Sequence, residues 1–141
     1  MSGRPIPSRR TVLRGAAVAP VACLGLTACS TDSGRATSAA PTVPVELGSA
    51  GEVPKGATKL FTGERIVVTH ADDGTYKAFS TVCTHAQCPI NTLEGTELIC
   101  SCHGSKFDAT TGQVLHDPAT VPLPEVPVTV KGGKLVAGPE A

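Results

Sequence analysis

From residue 44 onward the apolar residues fall in short runs between turn residues, and no 3.6-residue period outlasts one or two turns. Seven segments read as strands: "ATKLF" (57–61), "RIVVTH" (65–70), "TYKAFST" (75–81), "TELIC" (96–100), "QVLH" (113–116), "VPVTV" (126–130) and "KLVAG" (134–138). The links "TGE", "ADDG", "LEG", "ATTG" and "KGG" are of the glycine-bearing kind that joins antiparallel strands. Pro122, Pro124 and Pro127 belong on edges or in loops, because proline cannot donate to a β-ladder. The pattern predicts an all-β sandwich or small barrel over about residues 44–138, without an internal repeat. Two loops interrupt it, at 82–93 and 101–111.

Before residue 44 the pattern changes. Ser30 to Pro44 is rich in Ser, Thr, Ala and Pro, with too little apolar surface to fold, and reads as a flexible tether. Ahead of it, Arg4, Arg9, Arg10 and Arg14 precede an uncharged, Ala- and Gly-rich run of 17 residues from Gly15 to Thr31. That run is short and weakly apolar for a membrane span, which needs about 20 residues. "SRRTVL" (8–13) resembles a twin-arginine export signal, with Val12 where Phe is preferred. "LTAC" (26–29) resembles a lipobox, which implies cleavage before Cys29 and its lipidation; "PVAC" is poorer, with Pro20 in place of the leucine. The expected organisation is a signal over 1–28, a tether over 29–43 and a folded domain over 44–141. Lipid chains on Cys29 would hold the domain on the outer face of the cytoplasmic membrane, or otherwise in the periplasm or at the cell surface.

Composition narrows the chemistry. The chain has 141 residues, 40% apolar, and its aromatic residues are Phe61, Phe79, Phe107 and Tyr76. So thin a core calls for a staple, either disulfide or metal, and the chain carries six cysteines. Removing residues 1–28 leaves eight Lys/Arg against twelve Asp/Glu, a charge of −4, and no basic stripe for nucleic acid. No Ser-His-Asp order, phosphate loop or paired catalytic carboxylates stand out. His70, at the end of an apolar strand, reads as a surface histidine, His116 as structural or incidental, and Asp72, Asp73 and Gly74 as a turn.

The informative cluster is "CTHAQC" (83–88) followed, eleven residues later, by "CSCHGS" (100–105). Each holds a cysteine and a histidine at short spacing, plus one further cysteine. Two disulfides would use all four cysteines but leave His85 and His103 as coincidence. A Cys₂His₂ zinc site plus one disulfide would use them all. Either would make the chain a stapled surface binding module.

A third reading rests on resemblance. The two boxes resemble those of Rieske proteins, C-T-H-x-G-C and C-P-C-H-G-S, at ten of twelve positions counting the free one, with Gln87 for glycine, which implies a slightly different course for the first loop, and Ser101 for proline. They are similar to the disulfide-containing, cytochrome bc-type branch. The resemblance implies a Rieske-like antiparallel fold with two cluster-binding loops and a [2Fe-2S] cluster. Cys83 and Cys100 would hold the inner iron, His85 and His103 the outer one, and Cys88 and Cys102 would form a disulfide. Imidazole in place of two thiolates raises the potential of such centres and lets proton transfer couple to electron transfer. Gly104 would allow close backbone approach, Ser105 would donate to a bridging sulfide, and Phe107 stands where high-potential members have a donating tyrosine. The implied potential is positive or near zero, below the family's highest. Ala86 replaces a bulkier apolar residue of quinol-oxidising members. "HDPAT" (116–120) resembles the family's third loop, with Asp117 for glycine. The implied function is one-electron transfer by a stand-alone carrier or a small oxidoreductase subunit. The alternative is the Rieske subunit of a bc-type quinol–cytochrome c reductase. The implied partner is a cytochrome, a quinol-oxidising complex or an oxidoreductase large subunit.

Overall fold

The computed structural model of the chain describes residues 40–139 and 141. The expected signal, Cys29 and most of the expected tether lie outside the described residues. Within them the expected antiparallel all-β fold is present, as three small sheets. The first has the order β1 (Val45–Ser49), β11 (Lys134–Ala137), β10 (Val128–Lys131). The second runs β2 (Thr58–Phe61), β3 (Ile66–His70), β4 (Tyr76–Ser80), β9 (Glu125–Val126). The third runs β5 (Thr92–Glu94), β6 (Glu97–Ile99), β7 (Lys106–Asp108), β8 (Val114–His116).

The second sheet is the middle layer. Side chains alternate along a strand, and both faces of β3 are covered. Ile66 and Val68 pack with Leu47, Val53, Leu135 and Ala137 on the side of the first sheet. Val67 packs with Phe79, Leu98, Phe107, Cys83 and Cys100 on the side of the third. A strand buried on both faces has to be apolar throughout, which is why "IVV" shows no alternation. The second core therefore contains two of the box cysteines.

Three strands went unread in the sequence. β7 lies inside the expected loop 101–111, β5 straddles the end of the expected loop 82–93, and β1 begins just past the expected tether. The expected strand 126–130 is divided at Pro127. Val126 pairs with Ala78 of β4, whereas Val128 pairs with Ala137 of β11. Proline has no N–H to continue the first ladder, so the chain changes sheets there. His70 is half-buried and pinned: Nδ1 lies 2.8 Å from the Val53 carbonyl oxygen, and the ring stacks on Tyr76 at 3.9 Å. It is structural rather than the surface histidine expected, because the backbone carbonyl and the Tyr76 ring hold it. Asp73 caps the 71–75 turn by accepting from the Thr75 N–H and hydroxyl. Among the described residues no helix is long and apolar enough to cross a membrane.

Candidate metal centre

Box one follows β4, and its base is closed where Ile90 N–H donates to Thr81 O at 2.7 Å. Box two is the loop of the β6–β7 hairpin, closed by the Ile99–Lys106 pair. Both are folded by the same backbone plan. The Cys83 carbonyl accepts from the Gln87 N–H at 2.8 Å, and the Cys83 N–H donates to the Cys88 carbonyl at 2.8 Å. Likewise, the Cys100 carbonyl accepts from the Gly104 N–H at 2.9 Å, and the Cys100 N–H donates to the Ser105 carbonyl at 2.9 Å. In this alignment Gln87 matches Gly104, and both are left-handed, at φ +60° and +85°. The sequence suggested that Gln87 would change the course of box one. Instead, Gln87 takes up the conformation for which glycine is suited, at a cost of about 1–2 kcal/mol. At Gly104 the conformation itself calls for glycine, since no protein atom lies within 4 Å of where a Cβ would stand.

The side chains sort by depth. Cys83 and Cys100 are fully buried, and they are the free cysteines among the described residues. Cys88 and Cys102 form a disulfide across the two boxes, with Cα atoms 6.6 Å apart. His85 and His103 are exposed, and their rings meet edge to face at a centroid distance of 4.7 Å. The Cys100 sulfur also lies within 4.8 Å of both disulfide sulfurs, but a bonded disulfide has no thiolate to offer a metal. Burial pushes the Cys100 thiol above its ordinary value, and Cys83 beside it acts in the same direction; the backbone N–H groups of Cys102 and His103 favour the thiolate and pull the other way. Oriented amides aimed at a cysteine sulfur are the surroundings a thiolate ligand needs.

Two further links were not legible in the sequence. Buried Ser105 accepts from the Ala119 N–H at 3.0 Å. The Thr84 hydroxyl donates to the Val121 carbonyl at 2.6 Å. Segment 116–121 is thus bonded to both boxes. Hydroxyls within the two boxes are the one signal in the sequence; their partners, 14 and 37 residues away, are set by the fold. Ser105 spends one acceptor site on Ala119 and keeps its hydroxyl proton for another partner. Phe107 is fully buried among Cys83, Cys100 and Leu98, and brings no polar group there. His116 is exposed, with Nδ1 2.7 Å from the Asp117 carbonyl, and the Asp117–Pro118 peptide is cis.

A family model for the Rieske [2Fe-2S] domain matches residues 43–127. The chain belongs to this family. The Rieske domain carries a [2Fe-2S] cluster, and the donor set fits one: two buried thiols, and two exposed imidazoles that face each other. The Rieske match spans every box residue. A cytochrome b6-f complex iron-sulfur subunit of Chlorobaculum thiosulfatiphilum is 33% identical over 92 residues, 64% of this chain and 50% of that protein. The chain thus spans about half the length of that relative. A naphthalene 1,2-dioxygenase system ferredoxin component of Pseudomonas aeruginosa is 30% identical over 88 residues, 60% of this chain and 85% of that one. Among solved structures, a cyanobacterial plasma membrane Rieske protein of Synechocystis superposes with a TM-score of 0.53 at 26% identity, covering 67% of this chain and 99% of the other. The chain is therefore a Rieske electron-transfer domain.

Proposed function

We propose that this Rieske domain is an exported one-electron carrier, working alone or as a small oxidoreductase subunit, with electrons crossing at its histidine end. The observation that carries this reading is the depth order of the donor set, with Cys83 and Cys100 buried and His85 and His103 exposed. Cys83 and Cys100 would hold the inner iron of the cluster, and His85 and His103 the outer one. The cluster supplies a one-electron acceptor whose potential is raised by its neutral ligands. Around it the buried thiols keep water from one side, the Cys88–Cys102 bond holds the boxes in register, and the exposed imidazoles give a partner its closest approach. The ring nitrogen of each imidazole that is not bound to metal is free to give up a proton when the charge changes.

In this reading residues 1–28 direct twin-arginine export and residues 29–43 are the tether. Cys29 carries the lipid that anchors the domain at the outer face of the membrane. The export route suits the chemistry, because it moves proteins already folded around a cofactor. Ala86 and Phe107 favour a carrier over a quinol-oxidising subunit: neither the bulky apolar neighbour of the exposed histidine nor the tyrosine donor of high-potential members is present. A bc-type subunit remains the second reading, favoured by the iron-sulfur subunits among the relatives, including one of a cytochrome bc1 complex in Corynebacterium diphtheriae, 43% identical over 68 residues.

The deciding measurement is metal, sulfide and spectrum together on anaerobically purified protein. Two irons and two labile sulfides per chain, visible absorption, and a reduced EPR signal with average g below about 2 are expected. Stoichiometric zinc without iron would overturn the reading. Quinol-dependent reduction of the domain only when a cytochrome b is present would favour the second role.

A further inference from the structure

Three cysteine sulfurs meet between the two boxes. The Sγ atoms of Cys88, Cys100 and Cys102 all lie within 4.8 Å of one another, though Cys100 is a free thiol and the other two are bonded. They differ in depth: Cys100 is buried, Cys88 half-buried and Cys102 exposed. The fold keeps them together. Cys100 is fixed by its backbone bonds to Gly104 and Ser105, and the Cys88 carbonyl by the Cys83 N–H. Cys83, the other free thiol among the described residues, falls outside this group of three. A thiol exchanges with a disulfide by attacking one of its sulfurs, and access and the leaving sulfur set the rate. Cys100 therefore has a second chemistry open to it besides metal binding.

We propose that in the chain without its cluster Cys100 exchanges with the Cys88–Cys102 disulfide, so that the staple between the boxes also gates metal uptake. The Cys100 thiol gives its proton to solvent, and its sulfur bonds to the Cys88 sulfur. The Cys88–Cys102 bond breaks, and its electron pair leaves on the Cys102 sulfur, which takes up a proton. One disulfide and two thiols stand before and after, so no outside oxidant is needed. Attack falls on Cys88 because that releases Cys102, the exposed sulfur, which water solvates as it leaves. It also keeps a bond between the boxes, whereas attack on Cys102 would only join residues two apart. The exchanged chain has lost Cys100 as a donor to the inner iron, which rests on the reading that Cys100 is an iron ligand. An iron-bound Cys100 is in turn no longer a free nucleophile. Cluster and exchange therefore exclude one another. An empty chain locks itself, and a small thiol, itself oxidised to its disulfide, reopens it.

The test compares the loaded full chain with the same chain emptied of iron by a chelator, both kept anaerobic. After minutes to hours, the timescale of uncatalysed disulfide rearrangement, thiols are capped with N-ethylmaleimide under native conditions. The disulfides are then mapped by peptide mass spectrometry without reduction. The emptied chain should gain label on Cys102 together with a Cys88–Cys100 cross-link, and the loaded chain should keep its Cys88–Cys102 bond and an unlabelled Cys102. Cys100→Ser removes the nucleophile and should abolish the label on Cys102. Cys83→Ser should leave it in place, which separates exchange within the fold from scrambling in an unfolded chain, where Cys83 would react as well. Cadmium(II), a probe for paired thiolates, should bind the freshly emptied chain several-fold more tightly than the exchanged one. An emptied chain that keeps only the Cys88–Cys102 bond would overturn the proposal. So would exchange through Cys83 as readily as through Cys100, label on Cys102 in the loaded chain, or equal cadmium binding by the two emptied forms. Failure of the underlying reading looks different: the purified chain then has no iron or visible absorption before any chelator is added.

Discussion

Gly112 joins the third sheet to the middle sheet through a contact that allows no side chain. It lies between β7 and β8 at φ +73°. A Cβ there would stand 2.7 and 2.8 Å from Cδ1 and Cε1 of Phe79, and 3.0 Å from the Leu123 carbonyl oxygen. Phe79 is 5% exposed and packs in the core that holds Cys83 and Cys100, so it has no room to swing away. Gly112→Ala therefore combines left-handed strain of about 1–2 kcal/mol with overpacking of about 1–3 kcal/mol. The sum, about 2–5 kcal/mol, is a large part of a domain's usual 5–15 kcal/mol. Gly95→Ala is the control, since Gly95 has φ +62° and nothing within 4 Å of a Cβ. It should cost about 1–2 kcal/mol, the strain alone. Urea titration of the loaded protein, followed by far-ultraviolet circular dichroism and by visible absorption, measures both losses. Gly112→Ala should also lose its colour at lower urea, because the displaced Phe79 lies against the site core. Equal costs for the two variants within about 0.5 kcal/mol would refute the reasoning.

Other outcomes follow from single contacts. Replacing Cys88 and Cys102 together by alanine opens a link between residues 14 apart, and loop entropy sets the loss at about 3 kcal/mol; an unchanged urea midpoint would contradict this. Phe107→Tyr should raise the reduction potential in a redox titration if the hydroxyl reaches a cysteine sulfur. If it reaches none, the buried hydroxyl should instead cost about 1–3 kcal/mol of stability at unchanged potential. Ser105→Ala should lower the potential and speed hydrogen exchange at the Ala119 amide, which loses its acceptor. Asp108 is half-buried, which opposes its ionisation, but hydrogen bonds from Thr110 and Thr111 outweigh this and hold its carboxyl below the usual range. Its folded pKa being depressed, the stability it gives is present above the unfolded value of about 4 and is lost as pH falls through the folded one. Asp108→Asn should lack that increment at neutral pH and show a flatter acid-unfolding profile.

The sequence alone determined a good deal of this Rieske domain. Strands with clear apolar runs, such as "RIVVTH" and "KLVAG", sit within a residue of β3 and β11, because their patterning is local. The two boxes were legible because ligand chemistry demands fixed residue types at fixed spacing, and their resemblance also supplied the Cys88–Cys102 pairing that the structure contains. β5 and β7 were not legible. Each is three residues long, and β7 presents one fully buried side chain, Phe107, so no alternation can emerge. Gln87 looked like a departure from the box and proved to keep its left-handed turn, because the bonds from Cys83 to Gln87 and Cys88 dictate the backbone whatever side chain it carries. The ties from Ser105 to Ala119 and from Thr84 to Val121 join residues far apart in sequence, and so does the T-shaped meeting of His85 and His103. Such contacts exist only once three sheets have packed. The sequence names the cysteines and histidines of the boxes, and the tertiary structure decides which are buried and which are exposed.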